Sequence, residues 1–264
     1  MSLACQLAYG WHRGVLRKRE LLAQRLPLGM QLEVHVPDDV GRRIYKYQVH
    51  EPWYLQWLEE QRAPARGELA LDVGANIGWY SVLFHRLSAG RLRVHGFEPD
   101  PVNHALLRRN LQRNGIHDAE LSALALGAED GQATLYQHGV KNLGKHSLQP
   151  LTSAAGTTRV AVTTLDGYLA ARGWDQTPIW IMKLDVEGHE PAVLAGAREA
   201  LGQTRALMLE YSPELHRPEA ASAMLEQLQA EGFRPSLYTD GSWQPSSIRR
   251  LAALQTQRDT LWTR

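Results

Sequence analysis

The chain is short of cysteine, of net charge and of long apolar runs. Cys5 is the single cysteine in 264 residues. That excludes an intramolecular disulfide and a cysteine-rich metal centre. The 29 basic and 28 acidic residues leave a formal charge of +1. Such a balance provides no general field for nucleic acid or an anionic membrane, so neither is expected as a partner. No run of about 18 apolar residues occurs, so no integral membrane segment is expected. The opening stretch MSLACQLAYGWHRGVLRKRELL places its apolar residues before its positive charges, the reverse of a secretory signal. The expectation is a cytoplasmic protein, and a homo-oligomer is admissible. Internal repeats and low-complexity tracts are absent as well. What is present is a 44% hydrophobic fraction, enough for a packed globule. The length suits one α/β domain with extensions.

Periodicity divides the chain into three parts. Residues 1–64 read as an N-terminal extension: a basic helix over 11–26, short strands at 31–36 and 43–49, and an amphipathic helix in EPWYLQWLEEQ. Residues 65–245 read as the main domain. There LALDV, RVHGFEP and ELSALAL (120–126) predict strands, with helices near 78–88 and 101–114 between them. ATLYQH and RVAVTTL predict two further strands around a polar loop containing KNLGKHSLQP. Strand 179–185, helix 190–201, strand 205–211, helix 218–231 and strand 233–239 follow. Residues 246–264 predict a C-terminal helix. Strand–helix alternation of this kind makes a mostly parallel sheet with helices on both faces.

Ligands of such sheets bind beyond the carboxyl ends of the strands. After the first strand of the domain the chain reads Asp72-Val-Gly74-Ala-Asn76-Ile-Gly78. The glycines allow a tight turn and close approach of a ligand. After the second strand stand Glu98, Pro99 and Asp100. A carboxylate there can accept hydrogen bonds from both hydroxyls of a ribose, which points to an adenosine-containing cofactor. A dinucleotide fold prefers glycine where Asn76 stands. An acid two residues before the first glycine suits an ammonium or sulfonium better than a pyrophosphate. S-adenosylmethionine is therefore favoured over NAD(P), although the residues alone leave an oxidoreductase open.

The densest chemistry lies in WIMKLDVEGHEPAVLAGA (180–197). Its apolar strand ends in Asp185, Glu187, His189 and Glu190, four titratable groups within six residues. Bunching them at the end of a buried strand is costly without a function. Carboxylates can hold hydroxyls, accept a proton or ligate Mg²⁺ through oxygen. No ligand set is assigned to a metal, and Mg²⁺ stays open. His189, or His146 in GKHSL, could serve as a base. Glu190 before Pro191 suits a helix start by its charge, Lys183 suits a pair with a nearby acid at a solvated strand end, and Asp166 suits the cap of helix DGYLAARG. Glu210, ending the next strand, is open between substrate contact and a pair with an arginine. Eight tryptophans are many for this length. Trp53, Trp57, Trp79, Trp174 and Trp243 fall near the expected site face, where aromatic walls suit sugar rings.

The ordered set LDVGANIGWYSVLF, GFEPDPVNHALLRRNL, ALGAEDG, NLGKHSL, TLDGYL, KLDVEGHEPAVLAGA and LMLEYSPE resembles the FkbM family of S-adenosylmethionine-dependent methyltransferases over residues 69–213. HEP at 50–52 resembles a short element that precedes the domain in that family. The resemblance implies a Rossmann-like class I methyltransferase core of seven strands, and O-methylation of a hydroxyl on a sugar or other natural product. It implies a small-molecule or glycan acceptor. It assigns Asp72, Gly74, Asn76 and Gly78 to the cofactor turn and Glu98 to the ribose. Pro99, Asp100, Gly127 and Asp130 would lie near adenine. Asn142 and Ser147 belong to a loop expected over the site, and Asp185 and Glu187 would flank the acceptor. A partner-binding protein that kept the fold and lost turnover is the remaining alternative, and intact acids at Asp72, Glu98 and Asp185 speak against it.

Overall fold

The structure is a computed structural model that describes residues 20–35, 37–139, 143–150 and 154–264. LALDV and IWIMKL have no polar alternation, and every position in both is buried. Strands covered on both faces read in this way, and these two form the centre of the sheet.

In chain order the described elements begin with β1 (Glu20–Ala23), β2 (Leu32–His35), α1 (Asp39–Tyr47) and α2 (Pro52–Glu59). The core opens with β3 (Leu69–Val73), α3 (Trp79–Leu87), β4 (Arg93–Phe97), α4 (Pro101–Arg113) and β5 (Glu120–Ser122). Next come β6 (Ala125–Leu126), β7 (Gly131–Gln137), β8 (Gly156–Thr163), α5 (Leu165–Ala170) and β9 (Ile179–Leu184). The remainder is α6 (Glu190–Ala195), α7 (Arg198–Gln203), β10 (Ala206–Tyr211), α8 (Pro218–Ala230), β11 (Arg234–Thr239), β12 (Ser242–Pro245), α9 (Ile248–Ala252) and β13 (Arg258–Thr263).

Among the described residues the main sheet has eight strands, in the order β12–β11–β13–β10–β9–β3–β4–β5. Strands β10, β9, β3, β4 and β5 are mutually parallel, and β13 is antiparallel to both of its neighbours. The result is a mixed α/β sheet, not the seven-stranded one expected. β12 adds an eighth strand by closing a hairpin on β11. The strand order reverses between β3 and β9, so the ligand-binding crevice of an open sheet falls there.

Several local expectations are corrected. The strand expected at 43–49 is the end of α1. Asp38 caps that helix by accepting from the Gly41 N–H at 2.9 Å, and Gln48 ends it in the left-handed region. Within the basic helix expected over 11–26, residues 20–23 are β1, paired antiparallel with β2; residues 1–19 lie outside the described chain. The single strand expected at 120–126 is split between β5 in the main sheet and β6 in a separate sheet with β7 and β8. The helix expected at 190–201 breaks at Gly196, where a Cβ would run into the carbonyl oxygen of Gly127. The C-terminal helix is only α9. The chain then becomes β13, because Leu261 and Trp262 point to opposite faces and fill the two separate cores, a period-2 pattern.

The N-terminal segment packs on one face of this sheet. Met30, Leu32, Val34, Ile44 and Tyr54 share a core with Val82, Leu83 and Leu106. Asn110 fixes the join: its side chain accepts from Glu33 N and donates to Glu33 O and Ile77 O, at 2.7–3.0 Å. One amide thus ties β2 to the glycine turn.

Candidate active site

The turn after β3 is shaped by what crosses it. Gly74 has φ 81°, and a Cβ there would collide with the carbonyl oxygen of Asp185. The end of β9 therefore presses directly on the turn. Asn76 lies at φ 48°, a region that asparagine tolerates. Its N–H donates to Glu98 Oε2 at 2.7 Å, and Asp100 N–H donates to Glu98 Oε1 at 2.8 Å. Glu98 is 6% exposed. Burial pushes its carboxyl up to about 8 against the pull of those two donors.

A cleft of two lobes opens beyond the strand ends. The first is largely apolar, with Phe97, Pro99, Leu124, Leu126 and Leu135 around Glu98. The second, about 740 Å³, is acidic and has Trp53, Trp79 and Tyr80 in its walls. Gly74, Asn76, Gly144, Asp185 and Glu187 line both lobes and form the waist between them. Asp38 Oδ1 accepts from Leu143 N–H at 2.8 Å and Asn103 donates to Leu143 O at 2.9 Å. These bonds draw segment 143–148 over the waist.

Lys183 stands in the acidic lobe, 1% exposed, with Nζ donating to Asp185 Oδ2 at 3.0 Å. Glu51, Asp259 and Glu210 also act on its charge and hold the ammonium well above the usual lysine range, against desolvation. Burial opposes ionisation of Asp185, but Lys183 outweighs it and keeps that carboxyl below its ordinary value. Glu187 goes the other way: burial and the neighbouring Asp185 push it up to about 8. Burial and Asp185 also raise Glu210 well above the carboxylate range. Burial and Glu51 raise Asp259 to about 7. Asp72, 2% exposed, accepts from Ser81 Oγ at 2.6 Å, and burial lifts it to about 6. One carboxyl is thus held ionised beside several that bind protons readily, a separation that assigns different roles to similar groups. Asp185, Glu187 and Glu210 each present an oxygen within 4.8 Å of the others, a set of hard donors of the kind Mg²⁺ takes.

The structure brings Asp72, Gly74, Asn76, Glu98, Pro99, Asp185, Glu187 and Glu210 to this cleft. Gly78 is buried behind it, where a Cβ would meet Leu107. Other expected residues are engaged elsewhere. Asp100 caps α4 through Val102 and Asn103 N–H, and its second oxygen accepts from Gln137. Asp130 is exposed at the edge of the small sheet, bound to Thr163 Oγ1 at 2.8 Å and to Thr164 N–H. Gly127 is buried against Val162. Asn142 lies outside the described residues. Ser147 donates to Glu187 O at 2.6 Å and so supports the acid loop from above. His146 lines the apolar lobe, its Nδ1 accepting from His138 N–H and its Nε2 turned toward Asp100. His189 lines that lobe as well. Burial lowers both imidazoles.

Four structural assignments differ from the expectation, one of them in part. Glu210 binds Gln257, not an arginine. Asp166 accepts from Glu199 and Ala200 N–H and thus caps α7, while Thr164 caps the helix that follows it. Lys183 does pair with a nearby acid, Asp185, but it is buried and not at a solvated strand end. Trp174 is remote from the cleft, packed against His95 and Arg93.

Reading the sequence missed His50, Glu51 and Asp259. Glu51 accepts from Tyr80 Oη, and His50 stacks edge-on to Trp79. The HEP stretch was a signal for the first two. Asp259 had none, because it depends on β13 inserting beside β10.

Comparisons with known proteins identify the family. The profile of the methyltransferase FkbM domain matches residues 72–235. The 31-O-demethyl-FK506 methyltransferase FkbM of Streptomyces tacrolimicus is 27% identical over 261 residues, 88% of this chain and 96% of that protein. Methyltransferase sdnD of Sordaria araneosa is 27% identical over 214 residues, 69% of this chain and 80% of its own. In fold, the crystal structure of methyltransferase FkbM from Methylobacillus flagellatus KT superposes with a TM-score of 0.51 at 18% identity, over 92% of this chain and 56% of that one. The chain spans little more than half the length of that structure. These matches decide for S-adenosylmethionine over a nicotinamide dinucleotide. The chain belongs to the methyltransferase FkbM domain family and is an S-adenosylmethionine-dependent methyltransferase.

Proposed function

We propose that the enzyme methylates a hydroxyl oxygen on a sugar or another natural-product small molecule. The observation that carries this reading is the grouping of Asp185, Glu187 and Glu210 within 4.8 Å, at the ends of two adjacent parallel strands and beside the glycine turn. The Streptomyces relative, by name a 31-O-demethyl-FK506 methyltransferase, supports an oxygen acceptor.

The residues fit the cofactor in two parts. Glu98 receives the ribose hydroxyls, and its apolar surroundings receive the base. Asp72 and the acidic lobe favour the cationic amino acid end. When bound, S-adenosylmethionine supplies a methyl carbon made electrophilic by its sulfonium, with a neutral thioether as leaving group. What remains for the protein is alignment and removal of the acceptor proton. Asp185, kept ionised by Lys183, takes the proton. Glu187 and Glu210, which protonate readily, donate hydrogen bonds to neighbouring hydroxyls. Trp53 and Trp79 give the acceptor an apolar wall. His50 is the imidazole that lines this lobe, so it takes the place of His146 and His189 as the histidine to test for a base. If a divalent ion assists, Asp185, Glu187 and Glu210 hold it.

The test is incubation of metabolite and glycan extracts with enzyme and cofactor carrying an isotopically labelled methyl group, read by mass spectrometry. A labelled methyl ether supports the reading. Label on nitrogen or carbon overturns the oxygen acceptor. Loss of activity with a chelator, restored by Mg²⁺, assigns the ion to the acids; indifference to the chelator removes it.

A further inference from the structure

Glu190 directly follows the acid loop and reads in sequence as a simple helix-start charge. Its surroundings say more. The side chain is fully buried, and a buried carboxylate is retained only with its hydrogen bonds made. Oε1 accepts from Val186 N–H at 3.0 Å, both oxygens accept from Gly188 N–H at 3.1–3.2 Å, and Oε2 lies 2.7 Å from His216 Nε2. His216 Nδ1 has no partner among the described residues, so the ring proton belongs on Nε2, facing the carboxylate.

Two features make this more than a cap. The loop it grips is strained: Glu187 has φ 50° and Gly188 φ 96°. A non-glycine residue in the left-handed region persists only where its surroundings enforce it. In addition, His216 lies on the segment leaving β10, the strand that carries Glu210 one residue before its end. The pair therefore joins the two strand ends that supply the acids.

We propose that Glu190 and His216 are positioning residues for methyl transfer: their buried contact sets the loop bearing Asp185 and Glu187 in register with Glu210. The inference rests on the reading of Asp185 as the acid that serves the acceptor. Ser147 and Gln149 hold the same loop from its other side, through the carbonyls of Glu187 and Gly188. They fix the backbone, but they do not reach β10.

The experiment is Glu190→Gln, which keeps the volume and removes the charge. The expected result is a fall in kcat of about tenfold or more, the scale of a misplaced catalytic group, with the cofactor Kd changed less than about threefold. In an Asp185→Asn background the same change should cost much less, because residues acting through one another are not additive. Wild-type turnover by folded Glu190→Gln, or full additivity with Asp185→Asn, overturns the inference. If Glu190→Gln does not fold, His216→Gln leaves the loop's N–H acceptors in place and carries the same comparison. In the wild type, the amides of Val186 and Gly188 should exchange slowly with deuterium, and exchange at the rate of an open loop also overturns it. An Asp185→Asn enzyme that turns over normally defeats the underlying reading. An inactive Asp185→Asn beside a fully active Glu190→Gln defeats only this inference.

Discussion

Asp185 holds Oδ2 3.0 Å from the Nζ of Lys183, two residues earlier in the chain and on the same side of the sheet's end. The lysine is 1% exposed, while the Asp185 side chain keeps 26% of its surface open to the cleft. One charge is sequestered so that the other is presented. Asp185→Asn keeps the shape and removes the acid. Methyl transfer should fall by about 10²-fold or more, on the order of lost general-base catalysis. Cofactor affinity should change far less, since Glu98 lies in the other lobe. Turnover at the wild-type rate, measured with labelled cofactor, would leave these acids as a strand-end arrangement only.

Lys183 sets the pH range of that acid. Removing a positive neighbour raises a carboxyl's pKa, so Lys183→Met should move the acid limb of the pH–rate profile upward. Activity should then be lost at a higher pH on descent than in the wild type. An unmoved acid limb in a folded variant would show that Asp185 is not the group that titrates.

Measured above pH 8, where Glu98 is ionised, Glu98→Ala should weaken cofactor binding by about 1.5–3 kcal/mol, the scale of charge-assisted hydrogen bonds. The structure adds a second cost. Glu98 also accepts from the N–H groups of Asn76 and Asp100, so the alanine leaves both donors of the turn unpaired. Glu98→Gln, which retains one acceptor oxygen, should lose less affinity and less thermal stability. Calorimetry with each variant decides, and unchanged affinity in both removes Glu98 from the site.

How much of this was legible in the sequence depended on how local the cause was. The buried runs of β3 and β9 carry their own signature, as do the Pro101 start of α4 and the glycine turn. The cleft residues Asp72, Glu98 and Asp185 followed from their places at strand ends. The rest was decided at a distance. RIYKYQV alternates like a strand, yet Asp38 caps it as a helix and Ile44 packs into the core. β13 shows its period only once its neighbours β10 and β11 are known. Glu190 could be seen as an acid before a proline, but its partner His216 is 26 residues away.

Gly74→Ala should abolish cofactor binding, and the cause is the protein itself before any ligand. A left-handed alanine costs about 1–2 kcal/mol from φ alone. At Gly74 the new Cβ also meets the Asp185 carbonyl, so the end of β9 must move. Gly115 provides the control: its φ is 70° and a Cβ there meets nothing within 4 Å. Gly115→Ala should lose only the dihedral cost in thermal or denaturant unfolding and keep normal affinity. Equal effects of the two variants would mean that the contact with Asp185 does not matter.

Cofactor binding should release protons. In the free enzyme burial holds Glu187 near 8, Asp259 near 7 and Asp72 near 6. Between pH 6 and 8 these acids retain protons that an unfolded chain has already lost, so the free enzyme loses stability as pH rises through that window. A sulfonium and an ammonium brought into the acidic lobe favour the ionised carboxylates and lower their pKa values. Titration near pH 7 in buffers of different ionisation enthalpy should show a release of about 0.5–1 proton per cofactor, and affinity should rise with pH across the same window. The demethylated thioether lacks the sulfonium charge and should release fewer. Proton uptake, or equal release by both, would show that the acids of Asp72 and the second lobe do not face the charged end of the cofactor.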